Sequence, residues 1–263
     1  MHKLPDDLFS KRLDCAPNPD EAVVELFDRA RSVSEDRLFL AVLDLDRIQL
    51  GSGGGRTPHL GINYARAWMA NQVGELYAMT STIPDDATEE QEEWIRFLQL
   101  VSYSQIWECL AIQRLTWSVV RTAGGKGYNP ELLVQDKPRT AFIWNSIRDE
   151  SREAGLGFAD LIEAIYHNLI RNAFAHSDAW ISHRAISTAP DVMSRGPTFH
   201  VSFDTWDRLF ARVGGFLAAL FRERKQAEEK LKSHSPRTFS LNEFAGPFTV
   251  VYDEDRGNWT FER

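Results

Sequence analysis

The stretch FADLIEAIYHNLIRNAFAHSDAW, residues 158–180, decides how the rest of the sequence is interpreted. Its apolar residues recur at helical spacing, which predicts an amphipathic helix over residues 158–175. The apolar side of this helix consists of Phe158, Leu161, Ile162, Ile165 and Leu169. Such a helix packs by one side and leaves the other side free for polar groups.

The polar side of the predicted helix carries an unusual combination of residues. At 100° per residue they fall on two adjacent lines, Asn168, Asn172 and His176 on one and Glu163, His167 and Arg171 on the other. A guanidinium binds phosphate oxygens through paired N–H donors, and histidine exchanges protons near neutral pH. These residue types can hold a phosphate and move a proton. The alternative is an ordinary polar face, in which Arg, His and Asn satisfy carbonyl groups near a helix end.

Composition and charge limit the class of protein. The chain has 263 residues, 43% hydrophobic and 26% charged, which is typical of a soluble globular protein with one large or two small domains. Its sixteen Phe and eight Trp predict an aromatic core. The net charge of -8 argues against broad, nonspecific adhesion to nucleic acid. This net charge does not exclude a small positive cleft formed by a local cluster of arginines.

The cysteines and the N-terminus indicate a cytoplasmic location. Cys15 and Cys109 lie far apart and have no metal-ligand spacing, as expected in a reducing compartment. The first residues contain no apolar signal segment, and no run approaches the roughly 18 apolar residues of a membrane span. We therefore expect a soluble, cytoplasmic protein without a membrane partner.

The first 85 residues are predicted to be mainly helical. Residues 1–50 show helical spacing, with Asn18 or Asp20 as a helix N-cap. The glycine-rich GSGGGRTP, residues 51–58, lacks the Gly-Lys-Ser/Thr ending of a phosphate-binding loop, so we interpret it as a flexible linker. A further helix is predicted over residues 61–80.

The longest predicted helix covers residues 88–122. Apolar side chains occupy most of its circumference, which predicts burial in a bundle or at a subunit interface. Glu108 lies within this apolar stretch and needs a partner if it is buried. It is either a structural member of an ion pair or a group that supports a catalytic residue, and we favour the structural role.

The remaining segments complete a helical protein with a small β component. We predict a helix over residues 137–153 and a last long helix capped by Asp204 or Thr205. Between them, AWISHRAIS and TFHVSF are either short extended pieces or irregular loop. Gly214 and Gly215 inside that helix indicate a close approach of another element or a kink. The tail PFTVVYDEDRGNWTFER alternates around DEDRGN, which predicts a β-hairpin.

The order Arg171, Asn172 and His176, with the histidine at a helix end, resembles the signature of the HEPN superfamily (higher eukaryotes and prokaryotes nucleotide-binding domain). The resemblance covers residues 86–232. It implies a mainly α fold, a HEPN-like antiparallel helical bundle. Residues 1–85 then form an N-terminal helical extension, and residues 233–263 form a C-terminal tail with a small β-hairpin.

Many HEPN proteins are metal-independent endoribonucleases that act as dimers, with the motifs of both subunits facing one cleft. The resemblance therefore implies a catalytic site at Arg171, Asn172 and His176, RNA as substrate, a homodimer, and no metal or cofactor. It further suggests a toxin or phage-defence effector restrained by an antitoxin or another regulatory protein. Other members are inactive, so the alternative is a module for dimerisation or for binding a nucleotide or a protein.

Three more residues are assigned supporting roles. His167 is either a second proton carrier or a structural residue, and Glu163 would orient it or pair with Arg171. Asn168 lies one turn before Asn172. A single motif histidine fills only one of the two roles, acid or base, which is a physical reason to expect a two-fold dimer. A zinc site is not predicted, because His176, His183 and His200 lack metal-ligand spacing and no cysteine lies near.

Overall fold

A computed structural model of the protein describes residues 3–43, 49–53, 57–61, 64–129, 139–175, 179–182, 184–188, 198–244, 246–255 and 257–262. The helices are α1 (Asp6–Cys15), α2 (Pro19–Leu43), α3 (Tyr64–Thr80), α4 (Glu89–Glu108), α5 (Leu110–Ala123), α6 (Thr140–Glu153), α7 (Phe158–Ile165), α8 (Asn168–Ala175) and α9 (Phe203–Ser233). The strands are β1 (Lys3–Leu4), β2 (Gln49–Gly53), β3 (Thr57–Gly61), β4 (Ala179–Ser182), β5 (Ala185–Thr188), β6 (Thr198–Ser202), β7 (Arg237–Phe239), β8 (Phe248–Asp253) and β9 (Asn258–Glu262). The prediction of a mainly helical protein with a small β component is confirmed. In these ranges, no helix has both the length and the apolar composition that crossing a membrane requires.

The hydrophobic core is aromatic, as the composition predicts. Trp107, Trp144 and Trp206 are among the largest fully buried side chains. The rings of Trp107 and Trp144 meet edge to face with centroids 4.7 Å apart, and Phe216 of α9 stacks on Trp107 at 5.9 Å. Such pairs stabilise a core beyond the area that they bury.

Helix α2 buries one side of its first half and all side chains of its last six residues, 38–43. Asn18 precedes it and accepts a hydrogen bond from the Asp20 amide at 2.8 Å, so the prediction of Asn18 as the cap is confirmed. Helix α2 packs against α5 and α9, and side chains such as Phe27 are fully buried there. The predicted N-terminal extension, residues 1–85, therefore shares one hydrophobic core with residues 86–232.

The described residues of the glycine-rich stretch, 51–53 and 57–58, are paired backbone, and for them the prediction of a flexible linker was wrong. Strand β2 runs antiparallel to β3, with Gln49 opposite Gly61 and Gly53 opposite Thr57. Residues 54–56 lie outside the described residues. Glycine and serine have low β propensity, so this hairpin depends on backbone hydrogen bonding across the ladder, which composition does not reveal.

The predicted helix over residues 88–122 is two helices, because the chain leaves helical geometry at Cys109 (φ -67°, ψ 105°). The break frees the carbonyl of Trp107. That oxygen accepts hydrogen bonds from Gln113 Nε2 at 2.5 Å and from Trp144 Nε1 at 2.9 Å. Side-chain donors thus replace the helical bond that the break removes.

The predicted helix over residues 158–175 is also two helices, α7 and α8, separated at Tyr166 and His167. The buried phenol of Tyr103 bridges this break. Its hydroxyl donates to the Ile165 carbonyl at 3.0 Å and accepts from the His167 amide at 2.8 Å. The break ends the regular 100° spacing, so the predicted polar lines do not continue from α7 into α8.

Of the two alternatives for the segments after α8, short extended pieces are confirmed, as a small sheet of order β1-β6-β5-β4. Strand β1 is parallel to β6, and β6, β5 and β4 are antiparallel. Ser202 caps α9 by accepting from the Thr205 amide at 3.3 Å, so the predicted caps Asp204 and Thr205 were wrong. The Asp6 carboxylate accepts from the Ser202 hydroxyl at 2.9 Å and from the Thr205 hydroxyl at 3.0 Å, which ties α1 to the start of α9.

The close approach predicted at Gly214 is confirmed. A Cβ atom placed on Gly214 would overlap the ring of Tyr77 from α3. Tyr77 also packs on Phe210, with centroids 4.7 Å apart, and its hydroxyl donates to the Phe210 carbonyl at 3.3 Å. The neighbouring Gly215 has more room, since its nearest contact would be Pro19 at 3.4 Å.

The predicted C-terminal hairpin is confirmed as β8 and β9, which pair antiparallel between Thr249↔Glu262 and Asp253↔Asn258. Gly257 has φ +61° in the turn, a conformation that favours glycine. The sequence did not predict a third strand, β7, which pairs with β8. Phe239 and Phe248 stack within this sheet and belong to the common core.

Candidate active site

The predicted Arg-Asn pair lies on helix α8, which ends at Ala175. Ile170 and Ala173 are buried, and the helix packs against α4, where the Phe174 and Phe97 rings lie 5.8 Å apart. Arg171 and Asn172 stand on the partly exposed side of α8. Hydrophobic packing thus fixes the helix that presents both polar side chains.

The Arg171 guanidinium is held by two neighbours. Its Nη2 donates to Asn172 Oδ1 at 2.6 Å, and its Nη1 forms an ion pair with Glu108. Its Nε is buried and has no hydrogen-bond partner in the described part of the chain. The side chain is 15% exposed, and burial lowers the pKa of Arg171 from its ordinary value. The Nη1 and Nη2 groups are therefore the part of the guanidinium that a ligand can reach.

Glu108, the last residue of α4, reaches Arg171, so this carboxylate is paired although it is not buried as the expectation assumed. One oxygen contacts Arg171, and the other accepts a hydrogen bond from the Thr140 hydroxyl, at the start of α6, at 2.6 Å. The Glu108 side chain is 43% exposed, so the ion pair lies at the surface and contributes modestly to stability. Glu108 thus belongs to the cluster around the motif arginine.

Asn168 lies apart from the pair formed by Arg171 and Asn172. Its Oδ1 accepts a hydrogen bond from the Tyr166 hydroxyl at 3.3 Å. This contact spans the break between α7 and α8. Asn168 is thus placed to stabilise the junction between α7 and α8.

His167 is in the hydrophobic core, which corresponds to the structural role considered above. Its side chain is 7% exposed, its ring packs edge to face on Phe9 at 4.7 Å, and its Nε2 lies 2.9 Å from the Ala164 carbonyl. Burial lowers the pKa of His167 to about 4. A neutral, enclosed imidazole is unsuited to exchanging protons with a substrate near neutral pH.

Glu163 does not pair with Arg171 or orient His167, and these expectations were wrong. Its carboxylate forms ion pairs with Arg152 at 2.7 Å and with Arg12 at 3.9 Å. The physical reason is the break after α7, because Glu163 and Arg171 would share a helix face only if the helix were continuous. Glu163 therefore lies outside the cluster around Arg171.

His176 lies outside the described residues, as do Ser177, Asp178 and His183. The assignment of His176 to the site accordingly stays a prediction from sequence. Among the side chains that the structure does describe, no group of three or more His, Cys, Asp and Glu residues could hold a metal ion.

Burial of His167 predicts an acid-sensitive fold. The unfolded histidine titrates near pH 6.5, whereas the folded pKa is about 4, so only the unfolded chain binds this proton between these values. The free energy of unfolding should therefore fall as the pH drops from 6.5 to 4, by up to ~3 kcal/mol from this residue. Urea unfolding across this range, compared with His167→Gln, measures the effect. Parallel pH profiles for the two proteins would contradict it.

The site residues that sequence reasoning missed are those supplied by other helices. The sequence singled out Glu108 as a charged residue in an apolar stretch but did not identify its partner. No sequence pattern indicated Thr140. No family model matches the sequence, and neither the curated proteins nor the solved structures provide a match. The residues around Arg171 and the motif in the sequence are therefore the observations that bear on function.

Proposed function

We propose that this protein is a metal-independent endoribonuclease of the HEPN type, acting as a toxin or a phage-defence effector. The observation that carries the proposal is the arrangement of Arg171 and Asn172. Their side chains are joined at 2.6 Å on the partly exposed side of α8, whose last residue directly precedes His176. A HEPN-type site requires this combination of a guanidinium and an imidazole at one helix end.

The proposed reaction uses the RNA's own nucleophile. The 2′-oxygen attacks the adjacent phosphorus and loses its proton, and the bond from phosphorus to the 5′-oxygen breaks as that oxygen gains a proton. The products are a 2′,3′-cyclic phosphate and a 5′-hydroxyl end. His176 serves as the base at the 2′-hydroxyl or as the acid at the 5′-oxygen. Arg171 stabilises the extra negative charge of the phosphorane, and Asn172 holds its guanidinium.

A second copy of the chain supplies the other proton carrier in this proposal. The buried His167 is unsuited to that role, which supports a site shared between two subunits. The surface beside α8 also supports self-association. Trp94 and Phe97 of α4 are 61% and 42% exposed, and Phe97 contacts Phe174 of α8. Exposed aromatic residues of this kind are common at protein interfaces.

An RNA incubation in EDTA tests the proposal. Wild-type protein is expected to cleave RNA but not DNA, because only RNA carries the 2′-hydroxyl, and to leave cyclic phosphate and 5′-hydroxyl ends. His176→Ala should lower the rate by at least about a hundredfold, since it removes the acid or base. The readout is gel analysis with end-group mapping. Cleavage by His176→Ala at the wild-type rate would remove this residue from the mechanism.

The second candidate is an inactive HEPN-like module that dimerises or binds a nucleotide or a protein. The observation that favours it is the Glu108 carboxylate, which already neutralises the motif arginine. The same incubation separates the two candidates. An inactive module leaves the RNA intact, while Arg171→Ala and His176→Ala change the Kd of its dimer or of its ligand.

A further inference from the structure

The Arg171 guanidinium already binds an anion, the carboxylate of Glu108. Its Nε faces the interior without a partner among the described residues, so a ligand must use the Nη groups. Nη1 is engaged by Glu108 and Nη2 by Asn172. A phosphodiester that binds these two N–H groups therefore lies beside the neutral amide of Asn172 and the negative charge of Glu108.

The position of Glu108 is fixed from two sides. Thr140 donates to one carboxylate oxygen at 2.6 Å while Arg171 binds the other. Glu108 is also the last residue of α4 and lies two residues before the start of α5. The dipoles of these helix ends act on it in opposite directions, so Arg171 is its principal electrostatic partner. The carboxylate is thus held where it competes with a ligand phosphate.

We propose that Glu108 is an internal competitor for phosphate, which keeps the ribonuclease site self-inhibited until RNA displaces the carboxylate from Arg171. This inference rests on the proposed function, because it concerns regulation of the same site. A phosphate oxygen and a carboxylate oxygen use the same N–H donors, and two anions on one guanidinium repel each other. Glu108 therefore sets the threshold at which RNA gains access to the site.

The test is binding of a single-stranded 2′-O-methyl RNA, which offers phosphates but no nucleophilic hydroxyl. Glu108→Gln keeps the shape of the side chain and an acceptor for Thr140 but removes the charge. We expect its Kd to be about five- to tenfold lower than that of wild type, measured by fluorescence anisotropy at fixed salt. The salt dependence should also steepen, by somewhat less than one unit of slope, because one more cation becomes available to phosphate.

Two further variants show whether the gain acts through Arg171. Glu92→Gln removes the same charge from an Arg96 ion pair on the same helix, about 24 Å from Glu108 along α4, and should leave Kd unchanged. In an Arg171→Ala background, Glu108→Gln should give no gain. A gain that persists without Arg171 would reduce the effect to general charge and overturn the proposal.

The remaining outcomes distinguish the competitor role of Glu108 from the ribonuclease activity of the site. Unchanged or weaker binding by a folded Glu108→Gln protein would overturn the competitor role and leave Glu108 as a residue that positions Arg171. The absence of binding in every variant would likewise overturn it. Failure of the wild type to cleave unmodified RNA would reject the ribonuclease proposal, whereas tighter binding by Glu108→Gln would still establish the competition.

Discussion

Arg171→Ala is expected to lower kcat/KM for RNA cleavage by about a thousandfold, which corresponds to ~4 kcal/mol of lost transition-state stabilisation. The reason is that a fixed guanidinium beside Asn172 would stabilise charge that develops only as the phosphorane forms. Arg171→Lys keeps the charge but loses the planar fork, so its rate should fall between those of wild type and the alanine variant. Single-turnover cleavage with enzyme in excess measures the chemical step.

The control for this prediction is an arginine with a similar ion pair elsewhere. Arg152 of α6 pairs with Glu163 at 2.7 Å, so Arg152→Ala removes one cation without touching the Arg171 cluster. It should leave cleavage unchanged. Thermal unfolding of both variants separates loss of chemistry from loss of fold, because Arg171→Ala also leaves Glu108 without its cationic partner. Equal cleavage rates in the two folded variants would exclude a catalytic role for Arg171.

Gly214→Ala is expected to destabilise the protein by ~2 kcal/mol, although alanine favours a helix interior over glycine by ~1 kcal/mol. The added methyl group would overlap the Tyr77 ring and force it away from α9. Tyr77 would then lose its packing on Phe210 and its hydrogen bond to the Phe210 carbonyl. Urea unfolding at neutral pH gives the change in the free energy of unfolding.

Two comparisons isolate the steric cause. Gly215→Ala gains the same helix propensity, and its methyl group meets Pro19 at an ordinary contact distance of 3.4 Å. Its stability should stay within ~1 kcal/mol of wild type. In a Tyr77→Ala background, Gly214→Ala should become stabilising, because propensity remains and the overlap is gone. A destabilisation that persists without Tyr77 would show that another contact is responsible.

The helical fold was predictable because apolar periodicity reports burial directly. The aromatic core followed from composition, the C-terminal hairpin from alternation of residues, and the close approach at Gly214 from glycine inside a helix. The helix breaks at Cys109 and at Tyr166–His167 were not predictable, because each is stabilised by side chains distant in sequence. Tyr103 satisfies the groups released around His167, and Gln113 with Trp144 satisfies the Trp107 carbonyl.

The same limit applies to the site. Arg171 and Asn172 were recognised as members of one motif, but their hydrogen bond was not predicted, because side chains of adjacent helical residues point about 100° apart. Pairing of Glu163 with Arg171 required an unbroken helix, and it failed at the break. Glu108 was recognisable as a charge in need of a partner. Glu108 pairs with Arg171 because α4 packs against α8, and no local sequence pattern predicts this packing.

The packing of α2 against α5 and α9 limits which segment of the gene recombination can transfer as a folded unit. Its side chains cover α5 and α9, so an excised piece spanning only residues 86–232 would expose an open apolar trough and aggregate. Recombination that moved only residues 86–232 into another gene would transfer the motif without the helix that its fold requires. The surface pair of Glu108 and Arg171 thus belongs to a fold that also requires residues 19–43.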